Sequence, residues 1–255
     1  MKNVRFWVVL WMAAWGLTSP AGAQELSATE IVRRADEKMR GSESSIGEVK
    51  MTIVRPTWTR DMQLKTWVKG TEYALILVTA PARERGTAFL KRGNEIWNWQ
   101  PSIDRVVKLP PSMMSQSWMG SDFTNDDLVK ESSMVEDFEH RLLGREEVGG
   151  RLCYQIELTP RPDAAVVWGK ILTWIDRQDF VQMKAEFYDE DGWLVNTMVT
   201  TRAGEMGGKV IPIVMEVIPA DKPGHKTVME QLSIEFDKPI PDDFFSIQNM
   251  KRLRL

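Results

Sequence analysis

The stretch Ile46-Gly-Glu-Val-Lys-Met-Thr-Ile53 decides the fold. Val49, Met51 and Ile53 alternate with Glu48, Lys50 and Thr52, so an extended chain here shows an apolar face and a polar one. The same period of two recurs near 60–69, 72–79, 86–91, 94–100 and 103–109. After an interruption it resumes near 135–145, 151–159, 167–176, 180–188, 193–202, 209–218 and 227–237. Turn residues separate many of these runs, among them Lys69-Gly70, Arg92-Gly93-Asn94, Gly149-Gly150, Asp191-Gly192 and Gly207-Gly208. Eleven to thirteen strands joined by tight turns predict a meandering antiparallel sheet. A sheet that long must curl or close.

Upstream of Ile46 the period is helical. Ser27-Ala-Thr-Glu30 forms a capping box: Ser27 is placed to accept from the Glu30 amide, and Glu30 to reach back. Leu26 and Ile31 fit the hydrophobic staple around that cap. Ile31, Val32, Ala35 and Met39 share one face, and Gly41 is the expected stop. A helix with one apolar face must lie on something, and the sheet is the only partner in view.

The N-terminus predicts where the protein works. Lys2 and Arg5 precede an apolar run from Phe6 to Leu17, and Ala21-Gly22-Ala23 offers a small-x-small cleavage signal. That is the layout of a secretory signal peptide over residues 1–23, leaving 24–255 as a single periplasmic domain. Removing two positive charges takes the formal charge from −3 to about −5, which argues against nucleic acid and against a polybasic membrane anchor. Cys153 is the only cysteine, so no disulfide forms within the chain and a hydrophobic core must hold it. Cys153 sits on an alternating strand, as core filler. Eight Trp of eleven, and most of the fifteen Met, follow residue 23. Such residues line adaptable apolar pockets as well as ordinary β-cores.

The interruption at 110–131 opens on Pro110-Pro111 and carries Met113, Met114, Trp118, Met119 and Phe123. These are too many large apolar groups for a solvated loop, and a long insertion with such a load is expected to act as a lid or plug. Thr124, with Asp127 three residues on, is expected to cap a short helix through Lys130.

Catalytic patterns are missing. His140 and His225 have no ligand spacing to another His or Cys, and neither G-x-S-x-G nor H-E-x-x-H occurs. Both histidines are expected on surface strands. Asp122, Asp126 and Asp127 are interrupted by Phe123 and Thr124 and follow no EF-hand pattern. The run Asp189-Glu190-Asp191-Gly192 is explained by a hairpin turn. No enzyme activity, metal or cofactor is expected.

Gly86-Thr-Ala-Phe-Leu90, Trp97-Asn-Trp99-Gln-Pro101, Arg105-Val-Val-Lys-Leu-Pro-Pro111 and Ser117-Trp-Met-Gly-Ser-Asp-Phe-Thr-Asn-Asp-Asp-Leu128 resemble the outer membrane lipoprotein-sorting branch of the LolA/LolB-like superfamily. The resemblance covers nearly all of the chain after residue 23, and 105–128 is its most specific part. It implies an incomplete antiparallel β-barrel of about eleven strands, with helices over the open side and a cavity for acyl chains. It also implies an arginine that tethers the lid, which no motif in this sequence locates.

The expected function is therefore a non-enzymatic periplasmic carrier or chaperone for the acyl chains of a lipid or lipoprotein. An inner-membrane donor, an outer-membrane acceptor and a monomeric state go with it. Shielding one palmitoyl-length chain is worth on the order of 10 kcal/mol at about 0.8 kcal/mol per CH₂. The alternative is a lipid-responsive periplasmic sensor that binds a regulatory protein, a class that usually carries a second domain. Trp97, Trp99, Met113, Met114, Trp118, Met119 and Phe123 are the candidate lipid-binding residues, at the wall or mouth of a cavity of several hundred Å³.

Overall fold

The computed structural model describes residues 26–125, 127, 133–164 and 166–253. The signal segment expected over 1–23 lies outside them, as do the side chain of Met39 and most of the helix expected between Thr124 and Lys130.

Helix α1 spans Ala28–Arg40 and starts where the capping pattern places it, with Ser27 Oγ accepting from the Glu30 amide at 3.1 Å. The reciprocal half of the capping box is replaced by ion pairs. Glu30 accepts from Arg33 Nε at 2.9 Å and from Arg34 Nε at 2.7 Å instead of reaching back to Ser27. A guanidinium makes a stronger partner for a carboxylate than a backbone amide does. Gly41 ends the helix for a steric reason: a Cβ there would lie 2.3 Å from the Glu37 carbonyl oxygen, to which the Gly41 amide donates.

Those ion pairs carry a pH signature. Hydrogen bonds from Arg33 and then Arg34 hold the Glu30 carboxyl at about 2, below its ordinary 4.5. A carboxyl depressed on folding contributes stability above its unfolded pKa and loses it as pH falls through the folded one. The protection of α1 amides relative to their intrinsic exchange rates is accordingly expected to fall between about pH 4.5 and 2, and Glu30→Gln to flatten that dependence. An unchanged profile in the Gln variant would show that other carboxyls govern α1.

Thirteen strands follow: β1 Ser44–Arg55, β2 Trp58–Lys69, β3 Tyr73–Ala80, β4 Ala88–Arg92, β5 Glu95–Gln100, β6 Arg105–Lys108, β7 Phe138–Val148, β8 Arg151–Pro160, β9 Lys170–Asp176, β10 Gln182–Tyr188, β11 Leu194–Met206, β12 Lys209–Pro219 and β13 Lys226–Phe236. They form one sheet in the order β6-β5-β4-β3-β2-β1-β13-β12-β11-β10-β9-β8-β7, antiparallel throughout and not closed. The count exceeds the roughly eleven that the resemblance implies. It reaches the upper end of the turn-based range, because each tight turn ends one strand and starts another.

This order consists of two meanders joined where β1 pairs with β13. Their far ends, β6 and β7, are the two free edges of the sheet and are consecutive in sequence. The chain between them therefore has to pass from one edge to the other. Among the described residues of that connection, 113–123 lie over the sheet face that carries Met51 and Met62.

Two further groups complete the fold. α1 packs its Ile31, Val32 and Ala35 face on Ile156, Leu158 and Ile171 of the second meander. A short helix α2, Ile247–Arg252, sets Met250 with Phe245 against Leu75, Leu90 and Trp99 of the first. Cys153 is fully buried beside Trp174 and Met183, as expected of core filler. Burial first, then the nearby Asp176 carboxylate, push its thiol up to about 11. Iodoacetamide at pH 8 is expected to leave Cys153 unmodified in the native protein and to label it once the chain is denatured. Rapid native labelling would reveal opening of β8.

Candidate ligand-binding site

Strand register defines the two faces of the sheet. Met215 opposes Met229, Met229 opposes Met51, and Met51 opposes Met62, so four methionines cross β12, β13, β1 and β2 in one row. Met51 and Met62 are fully buried in a cluster with Ile53, Leu64 and Phe89. Trp118 enters that cluster from the covering segment and stands edge-on to Phe89, with ring centroids 5.5 Å apart. Met113, Met114, Met119 and Phe123 pack against it. Five of the seven candidate residues thus converge on one Met-rich patch.

Trp97 and Trp99 do not join them. Trp97 opposes Leu90 and Trp99 opposes Ala88, in the cluster that α2 covers on the other face. Their two-residue spacing does keep both on one side of β5. Ile96, one residue earlier, points the other way and is the β5 side chain in the Trp118 cluster.

Two arginines that no motif singled out hold the segment down. Arg55 donates to Asp122 Oδ2 at 3.0 Å and to the Gly120 carbonyl at 2.8 Å. Thr227 donates its hydroxyl to Asp122 Oδ2 at 2.7 Å and accepts from the Asp122 amide at 2.9 Å. The ion pair is well shielded, with side-chain exposures of 10% for Arg55 and 6% for Asp122. Arg60 donates to the Met119 carbonyl. A sequence signal for both was present. Arg55 continues the inward series Val49, Met51, Ile53, and Arg60 precedes Met62 and Leu64 by the same period. A charge on an apolar face needs a partner brought from elsewhere.

The closed segment is held under strain. Met119 and Gly120 are both left-handed, with φ of 53° and 76°, and Met119 has the side chain that this region disfavours. Three buried side-chain atoms among the described residues lack a hydrogen-bond partner, and all lie in this corner: Trp118 Nε1, Arg60 Nε and Glu84 Oε2. Each such atom costs about 1–3 kcal/mol. The segment is thus clamped by charged hydrogen bonds while carrying one unpaired polar group of its own, Trp118 Nε1; Arg60 and Glu84 belong to the sheet side of the corner and face each other at 3.8 Å.

Open space lies at the two ends of this face. At the Arg55 end a cavity of about 660 Å³ sits between the covering segment and the β10–β11 and β12–β13 turns, and Phe123 is the one candidate residue in its wall. His225 also lines it, just ahead of β13 and not on a strand. At the opposite end a cavity of about 410 Å³ lies beyond the end of α1, lined by Glu37, Glu72, Glu136 and the buried Lys91. The single apolar cavity expected with all seven candidates at its wall or mouth is not found among the described residues: the segment's own side chains fill the Trp118 cluster, and Trp97 and Trp99 belong to another. His140 ties α1 to the 133–137 turn, with Nδ1 3.1 Å from Thr29 Oγ1 and Nε2 2.6 Å from the Met134 carbonyl. No helix among the described residues is long and apolar enough to cross a membrane.

An open antiparallel sheet with a helix and a clamped internal segment on one face is a LolA-like fold. A family model described as "Uncharacterized protein" matches residues 70–252, and the chain belongs to that family. The crystal structure of a DUF1329 family protein from Desulfovibrio piger is similar at 25% identity and a TM-score of 0.77, over 88% of this chain and 97% of that one. A LolA superfamily protein from Nitrosomonas europaea is similar at 26% identity and a TM-score of 0.71, over 88% of this chain and 100% of that one. A domain from Vibrio parahaemolyticus named for outer membrane lipoprotein sorting shares the fold at 22% identity and a TM-score of 0.74, over 88% of this chain and 98% of that one. No curated protein matches the chain.

Proposed function

We propose that this protein is a non-enzymatic periplasmic carrier that shelters the acyl chains of a lipid or lipoprotein between its Met-lined sheet face and the 110–125 segment. The observation that carries this reading is the self-filled site. Met113, Met114, Met119 and Trp118 occupy the apolar face as an acyl chain would, on a segment clamped by Arg55 and Arg60 and carrying the unpaired Trp118 Nε1. Displacing such a segment frees an apolar surface and releases the unpaired Trp118 Nε1 at once, so cargo can exchange with it at a modest net cost. Methionine suits both occupants, because its unbranched thioether adapts to different shapes. The likeness to proteins named for lipoprotein sorting supports the same reading.

The test is lipid extraction and mass spectrometry of protein purified from its native periplasm, paired with titration of a fluorescent fatty-acyl probe. A co-purifying acylated molecule and saturable probe binding are expected. Protein that carries no lipid and ignores the probe, in both wild type and Arg55→Ala, would remove the proposal.

A further inference from the structure

The 660 Å³ cavity at the Arg55 end has a chemistry of its own, and it abuts the covering segment through Phe123 and Ser121. Its size falls within the range of small-molecule sites. On its rim Trp193 is 73% exposed, which leaves an indole face open to solvent. That ring makes no stacking or cation–π contact within the described protein, unlike Trp67, Trp97 and Trp174.

The polar groups fall into a paired set and a free set, and the paired set includes Asp189, whose Oδ1 accepts from the Trp193 amide at 2.8 Å. Arg55 and Asp122 are already joined to each other and to the segment. Ser115, Asn196, Asp221, Lys222 and His225 also line the cavity, and their side chains make no hydrogen bond or ion pair among the described residues. This free set offers a hydroxyl, an amide, an imidazole, one carboxylate and one ammonium. The formal charges of this free set cancel, and with Arg55, Asp122 and Asp189 the wall as a whole carries a net charge of −1, which disfavours an anionic head group. A phosphate site needs converging cations, usually an arginine fork, and the only guanidinium here is committed to Asp122. A ring of mixed donors and acceptors beside an open aromatic face suits a ligand rich in hydroxyls and without net charge.

We propose that this cavity seats an uncharged, polyhydroxylated head group, so that the cargo is a glycolipid whose sugar stacks on Trp193 while its chains pass under the Trp118 segment. This assignment rests on the carrier reading and specifies the polar end of the cargo. Asn196 and His225 are half-buried on the inner side of the mouth, where they are placed to bond ring hydroxyls.

The experiment compares three single-chain probes below their micelle concentrations by calorimetry: dodecyl maltoside, dodecylphosphocholine and dodecanoate. Maltose alone is the fourth arm. The maltoside is expected to bind at least tenfold more tightly than the other two, with weak but measurable binding of maltose. Trp193→Ala and Asn196→Ala should each erase that preference and leave dodecanoate binding unchanged. Trp193 lies on an exposed hairpin turn, so circular dichroism should show both variants folded. Equal affinity for all three amphiphiles, tighter binding of the phosphocholine, or a preference that survives Trp193→Ala overturns the head-group proposal while the carrier reading stands. Absence of binding by every amphiphile overturns both.

Discussion

Trp118→Ala is expected to destabilise the protein by about 3–5 kcal/mol, the usual cost of truncating a buried Trp. At roughly 2–4 °C per kcal/mol for a chain of this size, the melting temperature should fall by about 10 °C. A lid side chain that touched only cargo would leave the melting temperature nearly unchanged when truncated. Trp118 is not such a side chain: it is 3% exposed, packs on Phe89 and belongs to the same cluster as Met51 and Met62. The informative partner is Trp118→Phe. It keeps most of the apolar contact and deletes the buried, unpaired Nε1 donor. It should therefore be close to neutral or mildly stabilising, and it should hold the segment more firmly closed. Thermal melts of the two variants decide the matter. A drop for Phe as large as that for Ala would mean that the indole N–H has a partner, and that the strained-segment account is wrong.

Arg55→Ala should have an effect of similar size in a different place. It strands the Asp122 carboxylate, buried at 6% exposure, with only Thr227 to answer it. Removing one member of a buried pair typically costs about 3–5 kcal/mol. Here the penalty applies only while the segment is closed, because an open segment returns Asp122 to water. The expected result is faster amide exchange confined to residues near 115–125, with faster loading of a fluorescent acyl probe and a smaller fall in melting temperature than Trp118→Ala produces. Arg55→Lys should recover part of the clamp, since an ammonium restores charge but cannot reach Asp122 and the Gly120 carbonyl as a planar fork does. Uniformly faster exchange across β1, β2 and β13 would mean that Arg55 supports the sheet and not the segment.

Much of this molecule was legible in its sequence because the signals are local. The Ser27 cap, the apolar face of Ile31, Val32 and Ala35, and the period of two from Ile46 onward each follow from backbone geometry over a few residues. So does the pairing of Trp97 and Trp99 on one side of their strand. The same locality explains why Met113, Met114, Trp118, Met119 and Phe123 stood out: five large apolar groups in one loop need a surface to cover, wherever that surface is.

What the sequence could not decide is which surface that is. Both faces of β5 meet apolar partners, so alternation alone leaves Trp97 and Trp99 equally suited to either; only the docking of α2 assigns them to the face away from Trp118. Arg55 and Asp122 lie 67 residues apart in sequence, and Asp122 and Thr227 lie 105 apart, so their joint clamp exists only once β1 pairs with β13 and the connection from β6 to β7 crosses the sheet. The mouth cavity is built in the same way, from turns that follow β10 and β12 and a segment that precedes β7. Secondary structure and the identity of the covering segment are properties of neighbouring residues, so the sequence alone determined them. The face that is covered, the charges that clamp it and the chemistry at its mouth depend on contacts across the sheet, and the tertiary structure alone decided those.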